Sequence, residues 1–523
     1  MEHPKGKILW IDDEIDLLKP HIILIEQRGY SVDKTTNGED AVELVRQKHF
    51  DLIFLDESMV GLSGLDALPM LKQIDASTPI VMVTKNEAES VMEEAIGKNI
   101  DDYLTKPVNP TQIIAAIIRH LESHKIKSEK IAQEYLIGFH QISSRILDKL
   151  NWNDWLDIYL KLVKWSMELD RNPELGFEQT LRDQWRETNA VFSKFVEDNY
   201  FEWIGKNKGD SSPVLSHEVV EHSLLPVLKN SKPTVFFVID CMRLDQWFTM
   251  EELLRPYYTF ERDYYSSILP TATPYARNAI FAGLMPIDIQ KYYPQWWVGE
   301  TNSEDHKANA FEKELLEEQL NRKRFKLKNQ LNYIKIHETE FGKKIESNIL
   351  NYAKNQLTAI VVNSVDMIAH SRSDYAILKE IAPDEAAYRS LTRSWFQHSS
   401  LFNMLKALSE EDVNIIITTD HGSIRCMRGV RVLGDRETST CLRYKFGKNV
   451  KAEQRHAMQI QNPNQFKLPN QGITVNNIIA KEDFYFVYPT DFHHYLQKYK
   501  DSFQHGGISM EEMIIPIITL NRK

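Results

Sequence analysis

Over residues 1–122, five short apolar runs alternate with stretches whose apolar positions recur every three or four residues. The runs are KILWID (7–12), YSVDKTT (30–36), DLIFLD (51–56), PIVMVT (79–84) and DDYLTKP (101–107); the amphipathic stretches fall near 16–28, 38–47, 64–73, 87–97 and from 110 onward. Strands alternating with helices of that length predict a parallel sheet with helices on both faces. From Pro110 to about Ile204 the pattern is helical, clearly interrupted only at Asn172-Pro173 and Gly176. Trp152, Trp155, Tyr159 and Trp165 fall on one helix face, which predicts a packed all-α connector rather than an aromatic ligand cage. The segment GKNKGDSSP (205–213) has no apolar period and reads as a linker. Beyond it, TVFFVID (234–240), LTAIVVNSVD (357–366) and NIIITTD (414–420) are β-branched runs that each end in an acid, as buried parallel strands do. The expected organisation is an α/β domain over 1–122, a helical bundle connector over 123–205 and a second α/β domain over 206–523.

Ligands on parallel sheets gather beyond the carboxyl ends of the strands. In the first domain those ends carry Asp12 and Asp13, Asp56, Thr84, and Lys106 followed by Pro107. Three converging carboxylates repel one another unless a hard cation such as Mg2+ lies among them, held by Asp13, Asp56 and the backbone at Ser58. Asp56 can then attack a phosphoryl donor while Lys106 and Thr84 stabilise the added oxygens. Each of these residues alone reads as a strand-end cap; all of them in this order do not. The segment resembles the receiver domain of two-component response regulators, with its flavodoxin-like fold. That resemblance implies phosphorylation at Asp56, metal binding by Asp12 and Asp13, switch residues Thr84 and Tyr103, and a cis peptide before Pro107. Val60 stands where many receivers have proline.

The larger domain carries a second set of candidates: Asp240, Thr271 and Thr273 in LPTATPYARN, Asp366 and His370, Asp420 and His421, and His505 in QHGG. Asp366 and His370 are spaced i,i+4, one face of a helix. Singly, each reads as a cap, a surface pair or a turn. Together they supply the carboxylates, imidazoles and hydroxyl of a two-metal phosphoryl-transfer site. The motifs Asp240-Cys241-Met242-Arg243, LPTAT, DMIAH, DHG and HGGISMEE resemble the PglZ domain, a branch of the alkaline phosphatase superfamily. The resemblance implies an alkaline-phosphatase-like α/β/α fold and two zinc ions, with manganese as the alternative. One would be held by Asp366, His370 and His505, the other by Asp240, Asp420, His421 and a nucleophilic threonine. Thr273 is favoured over Thr271 because Pro274 follows it, the arrangement of an N-cap with proline at the first helical position. Its hydroxyl would then face the positive end of a helix. Arg277, one turn on, is either a phosphate partner or a structural ion pair, and Arg243 reads as structural.

Composition narrows the class. A chain of 523 residues with 42% apolar and 26% charged residues holds several cores and is not disordered. A net charge of -11 argues against gripping nucleic-acid backbone as the main task, and no helix-turn-helix follows the first domain, so direct double-stranded DNA binding is not expected. Cys241, Cys426 and Cys441 form no CxxC pair, and no signal sequence or membrane-length apolar run occurs, so a cytoplasmic setting without membrane insertion is expected. Tyr292, Tyr293, Trp296 and Trp297, with the basic run NRKRFKLKNQ (321–330), read either as a surface for a nucleotide or oligonucleotide substrate or as a solvated lid helix with core aromatics. The three-domain combination resembles the response regulators that control type IX secretion in Bacteroidetes. It implies a sensor histidine kinase, a sigma factor and a secretion motor component as partners, and a zinc phosphodiesterase acting on cyclic and linear oligonucleotides. Phosphorylation of Asp56 is expected to promote a homodimer. The alternative is a metal-bearing interaction module that contacts the sigma factor and secretion machinery without turnover.

Overall fold

The apolar runs of the amino-terminal part become strands β1 (Lys7–Ile11), β2 (Ser31–Thr35), β3 (Leu52–Asp56), β4 (Ile80–Thr84) and β5 (Asp102–Thr105), all parallel and ordered β2-β1-β3-β4-β5. The structure, a computed structural model, describes residues 4–85, 100–205, 208–209, 211–230, 232–298, 308–374, 376–434, 441–469, 475–489 and 492–523. The helix expected near 87–97 and residues 206, 207 and 210 of the expected linker lie outside the described residues. Successive side chains of β1 go to opposite faces. Ile8 and Trp10 join Phe54 and Val81 in one apolar cluster, while Leu9 and Ile11 join Ile53, Leu55 and Met82 in another. Burial on both faces is why these runs are apolar without alternation. The helices Gly38–Gln47 and Gly64–Ile74 start at Asn37 and Ser63, whose side chains accept from the Asp40 and Asp66 N–H groups.

The chain divides into two compact units, Met1–Leu136 and Ile137–Lys523. The helix Ser123–Arg145 ends where the apolar period had suggested continuity, and the next, Trp152–Asp170, begins at Asn151. Leu147 and Leu150 carry the apolar period through this break. The signal is polar instead: Asn151 accepts from the N–H of Asn153 and of Asp154, whose carboxylate returns a bond in a capping box. Trp152, Trp155 and Tyr159 are buried edge-on against Trp203, Phe192 and Trp185 of the helix Glu178–Trp203, so these aromatics are core.

The larger sheet uses β6 (Thr234–Ile239), β7 (Tyr258–Ser266), β8 (Asn332–Ile336), β9 (Leu357–Val362) and β10 (Asn414–Thr418). Further along, β11 (Ile424–Cys426), β12 (Arg428–Arg431), β13 (Tyr444–Lys448), β14 (Ala457–Ile460), β15 (Val475–Ala480), β16 (Phe484–Val487) and β17 (Ser502–Gln504) form three small sheets before β18 (Ile514–Arg522) returns to the large one. Its order is β7-β18-β10-β6-β9-β8. Strands β10, β6, β9 and β8 are parallel, whereas β18 runs antiparallel to both β10 and β7. The acid-bearing runs are therefore the parallel ones, as expected, and an antiparallel ribbon closes one edge. Phe236 and Val238 face an apolar cluster with Ile280, Phe281, Leu315 and Leu316 of the helices Thr273–Ala282 and Glu312–Arg322. Among the described residues no helix is long and apolar enough to cross a membrane.

Candidate metal centre and nucleophile

The parallel strands bring their acids to one edge of the larger sheet. Asp240 directly follows β6, Asp420 and His421 lie just past β10, and Asp366 lies in the helix Ser364–Asp374 that leaves β9. One turn along that helix, His370 Nε2 is 3.3 Å from Asp366 Oδ1, and His505 Nε2 approaches the same oxygen at 3.8 Å. Asp366, His370 and His505 gather ligand atoms within 4.8 Å of one another, and so do Asp240, Asp420 and His421. The rings of His421 and His505 stack with centroids 4.3 Å apart, so the two groups adjoin.

Thr273 faces the second group. It is the first residue of the helix Thr273–Ala282, with Ala272 at the N-cap, so the helix starts one position earlier than expected. Its Oγ1 lies 3.0 Å from His421 Nε2 and 3.3 Å from Asp240 Oδ1. The unpaired N–H groups of the helix start leave positive potential at this hydroxyl. Thr271 is turned away and buried: its Oγ1 donates to Gly507 O at 2.8 Å and accepts from Gly506 N at 3.1 Å. It anchors the glycines that follow His505.

Arg277 makes the ion pair, one of the two roles expected for it. Its buried guanidinium donates to Asp240 Oδ2 at 2.6 Å and to Glu312 Oε1 at 2.5 Å, which leaves Asp240 Oδ1 for the threonine side. Glu312 also takes Lys335 at 3.2 Å and the Tyr333 hydroxyl. Sequence reasoning missed Glu312, because EKELLEEQ reads as a solvated helix, yet its side chain is fully buried. Arg243 is structural as expected, paired with Asp245 and Glu385.

Burial dominates the electrostatics. It pushes Asp240 up to about 7, with Arg277 opposing and Asp420 and Asp366 adding to the rise. It also raises Asp420 and lowers His421, and it brings His505 down to about 3 with His421 adding to the shift. Asp366 goes the other way: burial is outweighed by the hydrogen bond and charge of His370, so its carboxyl stays below the usual range. Acids crowded this way hold protons unless a cation takes their place. Two observations fit a cation here. Asp420 Oδ2 is buried without a hydrogen-bond partner. His421 Nδ1 lies 3.0 Å from Gly422 O, so it carries the proton and donates, leaving the Nε2 lone pair toward Asp240, Asp420 and Thr273.

In the amino-terminal unit Asp12, Asp13 and Asp56 likewise bring carboxylate oxygens within 4.8 Å. Lys106 Nζ sits 2.9 Å from both Asp12 and Asp56. Burial raises Asp56, with the Lys106 hydrogen bond opposing and Asp12 adding, and the Ser58 backbone also bonds its carboxylate. The Thr84 hydroxyl donates to Glu57, a partner sequence reasoning did not include. Tyr103 is 40% exposed, and the Lys106–Pro107 peptide is cis.

Most of the candidate substrate surface is occupied by its own contacts. Tyr293 stacks on Trp296 at 5.0 Å with Arg322 over its ring, and Lys323 pairs with Glu221. Trp297 differs: it meets Tyr275, two residues from Thr273, at 5.9 Å.

A family model described as the BREX system PglZ alkaline phosphatase-like domain matches residues 219–520. The response regulator receiver domain matches residues 8–118, and the PorX response regulator linker domain matches 125–204. Among curated relatives, the uncharacterized transcriptional regulatory protein YkoG of Bacillus subtilis is 32% identical over 129 residues, 24% of this chain and 56% of that protein. The transcriptional regulatory protein YvrH of the same organism is 30% identical over 219 residues, 40% of this chain and 83% of its own length. The chain thus spans little more than half of the first of these. Among solved structures, the receiver domain of the Francisella response regulator 1452 is 24% identical and covers 23% of this chain and 98% of its own, with a TM-score of 0.22.

Proposed function

The chain belongs to the PglZ alkaline phosphatase-like family and carries a response regulator receiver domain, and from that premise we propose that it is a phosphorylation-controlled, metal-dependent phosphodiesterase. The observation that carries this reading is Thr273 at a helix start, with Oγ1 3.0 Å from His421 Nε2 and 3.3 Å from Asp240 Oδ1. Asp366, His370 and His505 would hold one ion, and Asp240, Asp420, His421 and the Thr273 hydroxyl the other. Bound there, a pair of zinc ions would lower the pKa of the nucleophilic hydroxyl and stabilise charge on the leaving oxygen. Imidazole with carboxylate favours zinc over harder cations, and manganese is the runner-up.

The residues' own parts follow from their positions. Thr273 Oγ1 forms the bond to phosphorus as the ester oxygen leaves in line, and the helix start favours the added negative charge. Water then cleaves the phosphothreonine and restores the hydroxyl. Arg277, held by Glu312, orients Asp240 and opposes the rise that burial imposes on its carboxyl. Trp297 beside Tyr275 offers a ring on which a base can stack, which supports a nucleotide or oligonucleotide diester as substrate.

In the receiver, Asp56 accepts a phosphoryl group from a sensor histidine kinase with Mg2+ held among Asp12, Asp13, Asp56 and the Ser58 backbone, and phosphorylation promotes a homodimer. The resemblance of the three-domain combination to the response regulators of type IX secretion is the ground for proposing a role there, with a sigma factor and a motor component as partners. The test is hydrolysis of bis(p-nitrophenyl) phosphate and a short cyclic oligonucleotide by zinc-loaded wild type and Thr273→Val. Loss of turnover in the variant with both zinc ions retained is expected. A variant that turns over like the wild type would remove Thr273 as nucleophile, and a zinc-loaded wild type without turnover would favour the interaction module.

A further inference from the structure

One helix outside the matched phosphatase-like region, Glu178–Trp203, reaches the loops that carry the reacting residues. Asn189, Ser193 and Tyr200 are buried and spaced by four and seven, a single helix face. Asn189 binds the segment after His505 through both ends of its amide: Oδ1 accepts from Met510 N at 2.9 Å, and Nδ2 donates to Glu511 Oε2 at 2.9 Å. Ser193 Oγ accepts from Glu482 N at 3.3 Å, and its single proton is shared between Asn189 O on its own helix at 2.8 Å and Ile508 O at 3.2 Å. Tyr200 OH accepts from Leu269 N at 2.9 Å, in the loop that leads to Thr273.

What this face grips leads directly to the centre. Gly507 N and Ser509 Oγ both donate to the Glu512 carboxylate, at 2.8 and 2.7 Å, so residues 507–512 fold on themselves as one unit next to His505. Gly422, adjoining His421, donates its N–H to Glu512 O at 3.2 Å. A polar stripe buried on a helix persists only if every group is paired, so it sets one register between helix and loops.

We infer that Asn189 and Ser193 of the connector helix are positioning residues for the metal-ligating imidazoles His505 and His421, so that the connector completes the centre of the phosphatase-like domain. This rests on the two-metal reading above. The residues touch neither substrate nor ion. They hold the 508–511 segment that follows His505 and meets Gly422. This is one step beyond the groups bonded directly to a ligand, whose loss alters metal affinity about 10- to 100-fold, so a smaller effect is expected here.

The test uses the full chain and reads zinc itself, by competition with a chromophoric chelator, in wild type, Asn189→Leu, Ser193→Ala and Phe192→Leu, with melting temperatures alongside. The first two variants are expected to weaken zinc binding several-fold, up to about 10-fold. Phe192→Leu, which loosens the packing on Trp155 at 5.3 Å, is expected to lower the melting temperature with zinc affinity unchanged. Equal zinc affinity in all four proteins, or an equal loss in Phe192→Leu, would overturn the inference. Should Asn189→Leu fail to fold, Ser193→Ala decides alone, since it removes the hydroxyl that meets Asn189 O, Ile508 O and Glu482 N and almost no volume. Tight zinc binding by a wild type that hydrolyses nothing would overturn the phosphodiesterase reading but not this one, whereas a wild type that binds no zinc would overturn both.

Discussion

Gly422→Ala is the sharpest test of how the centre is built. A Cβ at this position would lie 1.9 Å from Glu511 O and 3.1 Å from Glu511 C, both backbone atoms. A carbon–oxygen contact needs about 3.3 Å, so the two segments must part by about 1.4 Å. No side chain can rotate aside to absorb this. Overpacking of that kind costs about 1–3 kcal/mol. The displaced peptide is the one whose oxygen orients His421, through the 3.0 Å contact from Nδ1, and His421 Nε2 is in turn 3.0 Å from Thr273. A shift of about 1 Å in a reacting constellation costs about 100-fold in rate, or about 2.7 kcal/mol of barrier. The expected outcome is a fall of about 100-fold in kcat/KM on bis(p-nitrophenyl) phosphate with a Tm lower by a few degrees. A kcat/KM within about twofold of wild type at an unchanged Tm would refute the reasoning, because it would mean the loop yields without moving His421.

Thr271→Val should leave the buried Gly506 N–H and Gly507 C=O without their shared hydroxyl, at about 2–3 kcal/mol. It should therefore lower both Tm and zinc retention, unlike Thr273→Val, and metal analysis of the two variants separates these effects. Burial raises Glu511 to about 7, with Glu385 adding and Asn189 opposing. The folded chain then holds this proton more tightly than the unfolded one, so the stabilisation is full below about pH 4.5 and is lost as the pH rises through about 7. The Tm of Glu511→Gln minus that of wild type should accordingly be larger at about pH 8 than at about pH 5; a flat difference would count against the shift. Lys106→Met should cost the amino-terminal unit about 3–5 kcal/mol by leaving Asp12 and Asp56 buried without their cation. Added Mg2+ should recover more Tm in this variant than in wild type, and a variant equally stable without Mg2+ would contradict that account.

The strands were legible because burial on both faces writes itself into local sequence: TVFFVI, LTAIVV and NIIIT each became a fully or almost fully buried parallel strand. The break at 146–151 was not, since the apolar period runs through it and only the Asn151 cap marks it. Thr273 was favoured through Pro274, and the helix starts one residue earlier than an N-cap reading allows, because Ala272 has the extended backbone of the cap.

The sequence by itself determined which residues stand at the carboxyl edge of each sheet. An acid just past a buried parallel strand has only that edge to occupy, so Asp12, Asp56, Asp240 and Asp420 were placed by their strands alone. Only the tertiary structure decided what those groups face. Thr271 and Thr273 are two residues apart in one loop, yet one hydroxyl holds Gly506 and Gly507 while the other meets His421. Arg277 reaches Glu312 across 35 positions and Asn189 reaches Met510 across 321, and pairings over such distances leave no local periodicity in the chain. They arise because a buried charge or amide must find its partner wherever folding has brought one within hydrogen-bond reach.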